Sequence, residues 1–256
     1  MIQAIQKIDL NCDMGEAFGN YIMPQDNLLM DHISSVNIAC GFHAGDPHIM
    51  QETVNKALKK GLAIGAHPGL PDLQGFGRRE MQVSPTEVYQ LTIYQIGALY
   101  GFIKAAGAKL HHVKPHGALY NMAAKNQQLA QAVARAVYDF DANLYLYGLA
   151  GSALIYAAND IGLKAVSEVF ADRTYLPDGS LTPRAHENAL INTEKQAVEQ
   201  VLNMIKRREV ATLDKKMIPI HAETICIHGD NEQALTFVKA IKSSLIAEGV
   251  VIQPPL

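Results

Sequence analysis

The chain has no tryptophan and only three cysteines, Cys12, Cys40 and Cys226, in 256 residues. Three cysteines without a C-x-x-C pair exclude a disulfide framework and a zinc ribbon, and they suit a reducing compartment. An excess of one charge is also missing. Lys and Arg number 22 against 25 Asp and Glu, a net charge of −3, so a nucleic-acid binder's basic footprint is absent. The largest basic cluster, Lys206-Arg207-Arg208, reads as a charged helix end. No apolar run is long enough to span a bilayer. The longest uncharged run lies between Asp141 and Asp160 and is broken by Asn143, Gly148, Gly151 and Ser152. The opening MIQAIQKIDL lacks the apolar stretch of a signal peptide, so a cytoplasmic protein is expected. Three motifs are absent as well: G-x-x-x-x-G-K-[ST], G-x-G-x-x-G and G-x-S-x-G. Neither a P-loop, a dinucleotide fingerprint nor a nucleophile elbow is supported.

What is present is an alternation of short apolar segments with longer amphipathic ones. Strands are expected at 7–13, 36–43, 62–67, 111–116, 144–149, 165–170 and 224–228. Helices are expected at 47–60, 85–106, 127–138, 152–161, 187–208 and 231–247, with a weaker one at 25–33. Asp46-Pro47 and Ser84-Pro85-Thr86-Glu87 are N-caps followed by proline at the first helical position, and Lys59-Lys60-Gly61 and Ala106-Gly107 are stops. No linker divides the chain, and one domain over residues 1–256 is expected. Seven strand–helix units predict an α/β protein with a parallel sheet. Side-chain parity separates an open sheet from a barrel. Asp9, Asn11 and Asp13 share one face of the first strand, opposite Ile8, Leu10 and Cys12; His112, Lys114 and His116 share a face of the fourth. Sheets covered by helices on both sides are apolar on both faces. One polar and one aliphatic face therefore predict a seven-stranded parallel (β/α) barrel.

Polar residues gather where the strands end: Asn11, Asp13 and Glu16; His43; His67; Lys114 and His116; Asp172 and Arg173; His228 and Asp230. In parallel α/β folds the reacting site lies at that edge. Four histidines, His43, His67, His116 and His228, each ending a different strand, point to chemistry. Asp13, His43, His67 and His228 are candidate metal ligands, though none has H-E-x-x-H spacing. Glycines beside these histidines leave room for a ligand or allow positive φ. Arg78, in the loop Gly75-Phe76-Gly77-Arg78-Arg79, suits capture of a carboxylate or phosphate. Lys114, buried by its parity, should face an anion such as Asp13 or a ligand group.

Together these segments resemble the LamB/YcsF family. The resemblance rests on Asp9-Leu10-Asn11-Cys12-Asp13-Met14-Gly15-Glu16, on residues 37–47, on Gly65-Ala66-His67-Pro68-Gly69 and on residues 71–79. It continues through Val113-Lys114-Pro115-His116-Gly117, Glu168-Val169-Phe170-Ala171-Asp172-Arg173 and Ile227-His228-Gly229-Asp230. It implies a barrel of the glycoside hydrolase/deacetylase type. It also implies cleavage of 5-oxo-L-proline to L-glutamate coupled to ATP hydrolysis, with ATP as co-substrate together with Mg2+, no tightly bound cofactor, and 5-oxoprolinase subunits B and C as partners. Metal-dependent deacetylases of that fold carry an H-x-x-x-H pair, whereas His43 and His48 here are five apart. For the implied reaction, Arg78 or Lys114 suits carboxylate and phosphate binding, with Asn11, Glu16, Arg173 and Asp230 as further substrate-binding candidates. Asp13 or His67 suits the base, and His116 or His228 the proton donor. His43 belongs with the catalytic candidates, and Asp172 would orient a histidine or Arg173. Two other classes fit the same residues: a metal-dependent amidohydrolase or deacetylase needing no ATP, and a non-catalytic protein that presents substrate to its partners.

Overall fold

A computed structural model describes residues 6–229 and 233–256. In chain order the elements are β1 (Lys7–Met14), α1 (Asp26–Leu29), β2 (Ser35–Ala39), α2 (Pro47–Lys59), β3 (Ala63–His67) and α3 (Pro85–Ala105). Next come β4 (Leu110–Val113), α4 (Gly117–Lys125), α5 (Gln127–Phe140), β5 (Tyr145–Leu149), α6 (Ala153–Asp160) and β6 (Lys164–Phe170). The last are α7 (Glu194–Lys206), β7 (Glu209–Ala211), β8 (Met217–Pro219), β9 (Thr224–Cys226), α8 (Ala234–Ala247) and β10 (Val251–Ile252). Strands β1 to β6 pair in sequence order, all parallel, and β9 pairs with both β6 and β1. The sheet is thus a closed seven-stranded barrel. Thr224 is the seam, in register with Glu168 on one side and Asp9 on the other.

Local chemistry explains the helices. Asp46 accepts the Ile49 N–H at 2.9 Å and starts α2 ahead of Pro47. Ser84 and Glu87 complete a reciprocal capping box on α3. Asn126 closes α4 and caps α5 through the N–H groups of Gln128 and Leu129.

The aliphatic side of each strand faces outward. Leu10, Met14, Val36, Ile38, Ile64, Val113, Leu146, Val169 and Ile225 are buried in one core with the inner faces of the helices, such as Val54, Ile96, Leu99, Val133, Val137 and Val201. The polar side faces the barrel axis, where each group must find a hydrogen bond to offset lost hydration. Asp9 accepts from Ser34, Ser35 and Thr224 at 2.6–2.7 Å and from Tyr147 at 3.0 Å. Asn11 donates to Glu168 and Thr224 and accepts from Asn37. His112 sits 2.7 Å from Asn37 Oδ1, and its ring fills the space a Cβ on Gly65 would need, 2.1 Å away. The room left by that glycine is therefore occupied by the protein itself.

Several boundaries differ from the sequence expectation. The second strand stops at Ala39 because Gly41 turns at φ +90°, so His43 lies in the turn beyond it. The fourth stops at Val113, since Pro115 has no N–H to donate to a ladder, and His116 becomes the N-cap of α4, a helix not anticipated. The last barrel strand ends at Cys226, two residues before His228. Only His67 of the four histidines lies within its strand. The helix expected at 187–208 begins at Glu194, where Thr193 supplies the cap, while Ile191 N–H bonds back to Asp172 O. The antiparallel pair β7–β8 and the short β10, which pairs in parallel with the start of β1, carry no strong alternation and were not expected.

Candidate functional site

Loops after the barrel strands enclose a cavity of about 240 Å³. Asp13, Glu16, His67, Lys114, His116 and His228 face it from the barrel end, and Arg78, Arg173 and Arg184 line it nearer the loops. Strands and loops far apart in sequence meet here.

The floor is built around Lys114. Its Nζ lies 3.0 Å from Asp13 Oδ1 and 2.8 Å from Glu168 Oε1, with Asn11 Oδ1 at 3.2 Å and Cys226 Sγ at 3.1 Å. The anion expected opposite this buried lysine is thus supplied by the protein, twice over. Burial opposes the charge on Lys114, but Asp13 and Glu168 around it raise its pKa well above the ordinary lysine value. Burial alone would raise the Asp13 carboxyl, yet His67 and Lys114 hold it well below the usual carboxylate range. Asn37 Nδ2 donates to the same Asp13 oxygen at 2.8 Å.

On one side of the floor stand three imidazoles and a carboxylate. His43 and His116 stack with ring centroids 3.7 Å apart, and His67 meets His116 edge-on. Glu16 Oε1 is 3.2 Å from His43 Nε2 and 3.3 Å from His116 Nδ1. Burial, followed by the neighbouring imidazoles, pushes His43 and His116 well below the ordinary histidine value. Gly77, at φ +64°, lets the Arg78 loop close on these rings: a Cβ there would lie 2.6 Å from His43 Cβ and 2.8 Å from His116 Cδ2. Phe76, at φ +55°, offers its carbonyl to His116 Nε2.

On the other side, both Asp172 oxygens lie 3.0 Å from His228 Nδ1, and the His228 backbone N–H also points at Asp172. Burial would raise Asp172, but His228 lowers it below the ordinary value. A ring nitrogen of His228 comes within 4.8 Å of ligand atoms of both Asp13 and Cys226. Asp172 orients a histidine, then, rather than Arg173. The Arg173 guanidinium instead bonds to the Thr182 and Ala189 carbonyls, and burial, with Arg184 nearby, pushes it down to about 10. It therefore pins the 174–192 loop to the barrel. Arg78 is exposed at the mouth with its guanidinium 4.8 Å above the Phe76 ring. Asp230 lies outside the described residues. His48 is 82% exposed in its side chain and takes no part.

The four expected metal ligands do not form one group. Glu16, His43, His67 and His116 do, with ligand atoms all within 4.8 Å of one another; Asp13, Cys226 and His228 form a second group. Sequence reasoning missed Glu168, Asn37 and Cys226 as members of the site. Glu168 shares inward parity with Phe170 on β6, and that was the signal available for it.

The architecture is a seven-stranded parallel (β/α) barrel of the deacetylase type, with a polar site at the C-terminal ends of its strands. The catalytic domain of a peptidoglycan N-acetylglucosamine deacetylase from Eubacterium rectale shares that fold: TM-score 0.52, 14% identity, over 100% of this chain and 91% of that one. The chain belongs to the LamB/YcsF family, whose model matches residues 8–256. It is 58% identical to the A subunit of 5-oxoprolinase from Tolumonas auensis, over 96% of this chain and 98% of the relative. It also superposes on a lactam utilization protein from Thermus thermophilus with TM-score 0.91 and 43% identity, over 98% and 100% of the two chains. No helix among the described residues is long and apolar enough to cross a membrane.

Proposed function

We propose that this barrel is the A component of an ATP-dependent 5-oxoprolinase, opening 5-oxo-L-proline to L-glutamate as one cytoplasmic domain that works with subunits B and C. The observation that carries the reading is the charge order of the cavity. Arginines line its mouth, while its floor presents an ionised carboxylate, Asp13, close to a histidine oriented by Asp172. An anionic lactam matches that order, with its carboxylate toward Arg78 and its ring toward the floor. The enclosed volume of about 240 Å³ suits a molecule of that size. It lies below the roughly 300–1,000 Å³ of pockets for larger ligands, so most of a nucleotide would sit outside it.

A five-membered lactam resists water, and phosphorylating its amide oxygen with the γ-phosphoryl group of ATP makes that oxygen a leaving group. Water adds to the activated carbon, the C–N bond breaks as the ring nitrogen takes a proton, and the acyl phosphate so formed loses its phosphate to a second water, leaving the carboxylate. Asp13, held ionised, accepts the hydrogen bond of the attacking water. His228, fixed by Asp172 through Nδ1, presents its other ring nitrogen as donor to the ring nitrogen. Lys114 keeps Asp13 and Glu168 in place and is a positioning residue. In this reading Arg78 meets the carboxylate, or the phosphoryl group with its Mg2+.

The test is glutamate release from 5-oxoproline with ATP, by the purified chain alone and with subunits B and C. Release only from the assembled system, lost in Asp13→Asn and cut at least about 100-fold in His228→Gln, is the expected result. Full activity of either variant in the assembled system would overturn the assignment.

A further inference from the structure

The hydrogen bonds around His67 and His116 leave a problem that only a cation solves. His67 Nδ1 lies 2.7 Å from the Lys114 carbonyl, and His116 Nε2 lies 2.8 Å from the Phe76 carbonyl. A carbonyl oxygen only accepts, so both of these nitrogens carry hydrogen. In neutral rings the two remaining nitrogens, His67 Nε2 and His116 Nδ1, then carry lone pairs. Those nitrogens face each other at 2.9 Å in a buried site. Glu16 Oε1 adds a third electron-rich atom, 3.3 Å from His116 Nδ1 and 3.9 Å from His67 Nε2, and Asp13 Oδ2 a fourth, 3.3 Å from His67 Nε2.

A shared proton or a metal ion would each relieve this contact, and three features favour the metal. Each ring has its outer N–H anchored on a rigid backbone carbonyl, which is how metal-binding histidines fix tautomer and orientation. A carboxylate converges on the same point, and two imidazoles with one carboxylate are a donor set for a zinc-class ion that keeps an open position. Glu16, His67 and His116 all face the cavity, so the open position points at whatever the cavity holds. His43 completes the frame. Its Nε2, 3.2 Å from Glu16 Oε1, donates to hold the carboxylate, and its Nδ1, packed on Gly69 with no hydrogen-bond partner, is then the unprotonated nitrogen.

We propose that Glu16, His67 and His116 bind one divalent transition-metal ion of the zinc class, with His43 positioning Glu16. When bound, such an ion would act as a Lewis acid toward a carbonyl oxygen in the cavity. The site is distinct from the set Asp13, His43, His67 and His228 suggested by strand ends alone. It does not depend on which substrate the cavity takes.

The test uses the full chain, stripped with a chelator, dialysed and titrated with Zn2+ in a calorimeter, then with Co2+ in a visible spectrophotometer. The expected result is one equivalent of Zn2+ taken up with micromolar or tighter affinity. The Co2+ form should show a d–d band whose intensity marks four or five N/O ligands. Glu16→Gln and His116→Gln should each weaken Zn2+ binding at least about 10-fold while circular dichroism shows an intact fold. His228→Gln, at the same mouth but outside the group, should leave it unchanged. Absence of stoichiometric uptake by the folded wild type would overturn the proposal, as would 15N shifts marking a shared imidazolium proton between His67 and His116 in metal-saturated protein. So would uptake lost in His228→Gln but kept in His116→Gln, which would place the ion in the group formed by Asp13, Cys226 and His228. Glutamate release without metal uptake would sink this inference and leave the proposed reaction standing.

Discussion

Asp9 and Asp13 lie on the same strand, with the same inward parity, and both are buried. Their environments drive them in opposite directions. Four hydroxyls surround Asp9, from Ser34, Ser35, Thr224 and Tyr147, yet burial still raises its pKa above the ordinary 3.8. Asp13 is desolvated as well, but His67 and Lys114 hold it well below the ordinary value. Neutral dipoles satisfy a buried carboxylate geometrically without repaying the loss of water, whereas a neighbouring cation such as Lys114 does both. The lower barrel is therefore a sealed structural layer, and the charged upper layer is where chemistry is possible.

The largest expected effect comes from removing the cation that makes the two layers differ. Lys114→Met would leave Asp13 and Glu168 buried side by side without a counter-charge. Breaking a buried pair in this way costs about 3–5 kcal/mol, which urea unfolding would read. Turnover of the assembled complex should fall by orders of magnitude, and Lys114→Arg should not restore it, because the guanidinium fork is larger and shaped differently. A Met variant of wild-type stability would show that the upper layer does not depend on this pairing.

Next in size is a steric test of the sealed layer. In Gly65→Ala the new methyl would meet His112 Nε2 at 2.1 Å, and that ring is held by Asn37 Oδ1 and stacked on Tyr147. Destabilisation of about 1–3 kcal/mol or more is expected in the same unfolding experiment. A neutral outcome would mean that the His112 ring moves freely and that the lower layer is not closely packed.

The Asp9 comparison can be sharpened by pH. The raised folded-state pKa means that folding favours the protonated acid. Its contribution is fully present below the ordinary 3.8 and is lost as pH rises through the folded-state value. Asp9→Asn removes that dependence. The stability of the variant relative to wild type should therefore improve as pH is raised from about 4 toward neutrality, followed by thermal melts across the range. A difference independent of pH would indicate that the hydroxyls alone keep Asp9 at its ordinary value.

The smallest effect is expected at Asp26, a partly buried carboxyl that accepts the Gly15 N–H at 3.1 Å beneath the site loop. Burial raises it from 3.8 to about 6. The same sign applies: wild type loses stability as pH rises between those two values. Asp26→Asn should recover about 1–2 kcal/mol at neutral pH, allowing for partial exposure. Equal melting temperatures for the two proteins at pH 4 and pH 7 would count against it.

Much of this was legible along the chain. Strand parity separated the polar lining from the aliphatic outer face, and the caps Asp46 and Ser84 and the stop after Lys59 placed the helices to within a residue or two. These features are local, set by side-chain alternation, backbone donors and proline geometry, so sequence by itself determined them. Partnership was not local. That Lys114 would be shared by Asp13 and Glu168, that His116 would turn toward Glu16 and His67 instead of ending a strand, and that Arg173 would be spent on the Thr182 and Ala189 carbonyls were decided only by barrel closure and loop packing. Those groups lie on different strands and loops, and distances between them follow from the register around the barrel and from the backbone turns at Gly41, Phe76 and Gly77. A chain read one residue at a time carries the period of each strand but not the registry between strands, and the chemistry of this mouth depends on that registry.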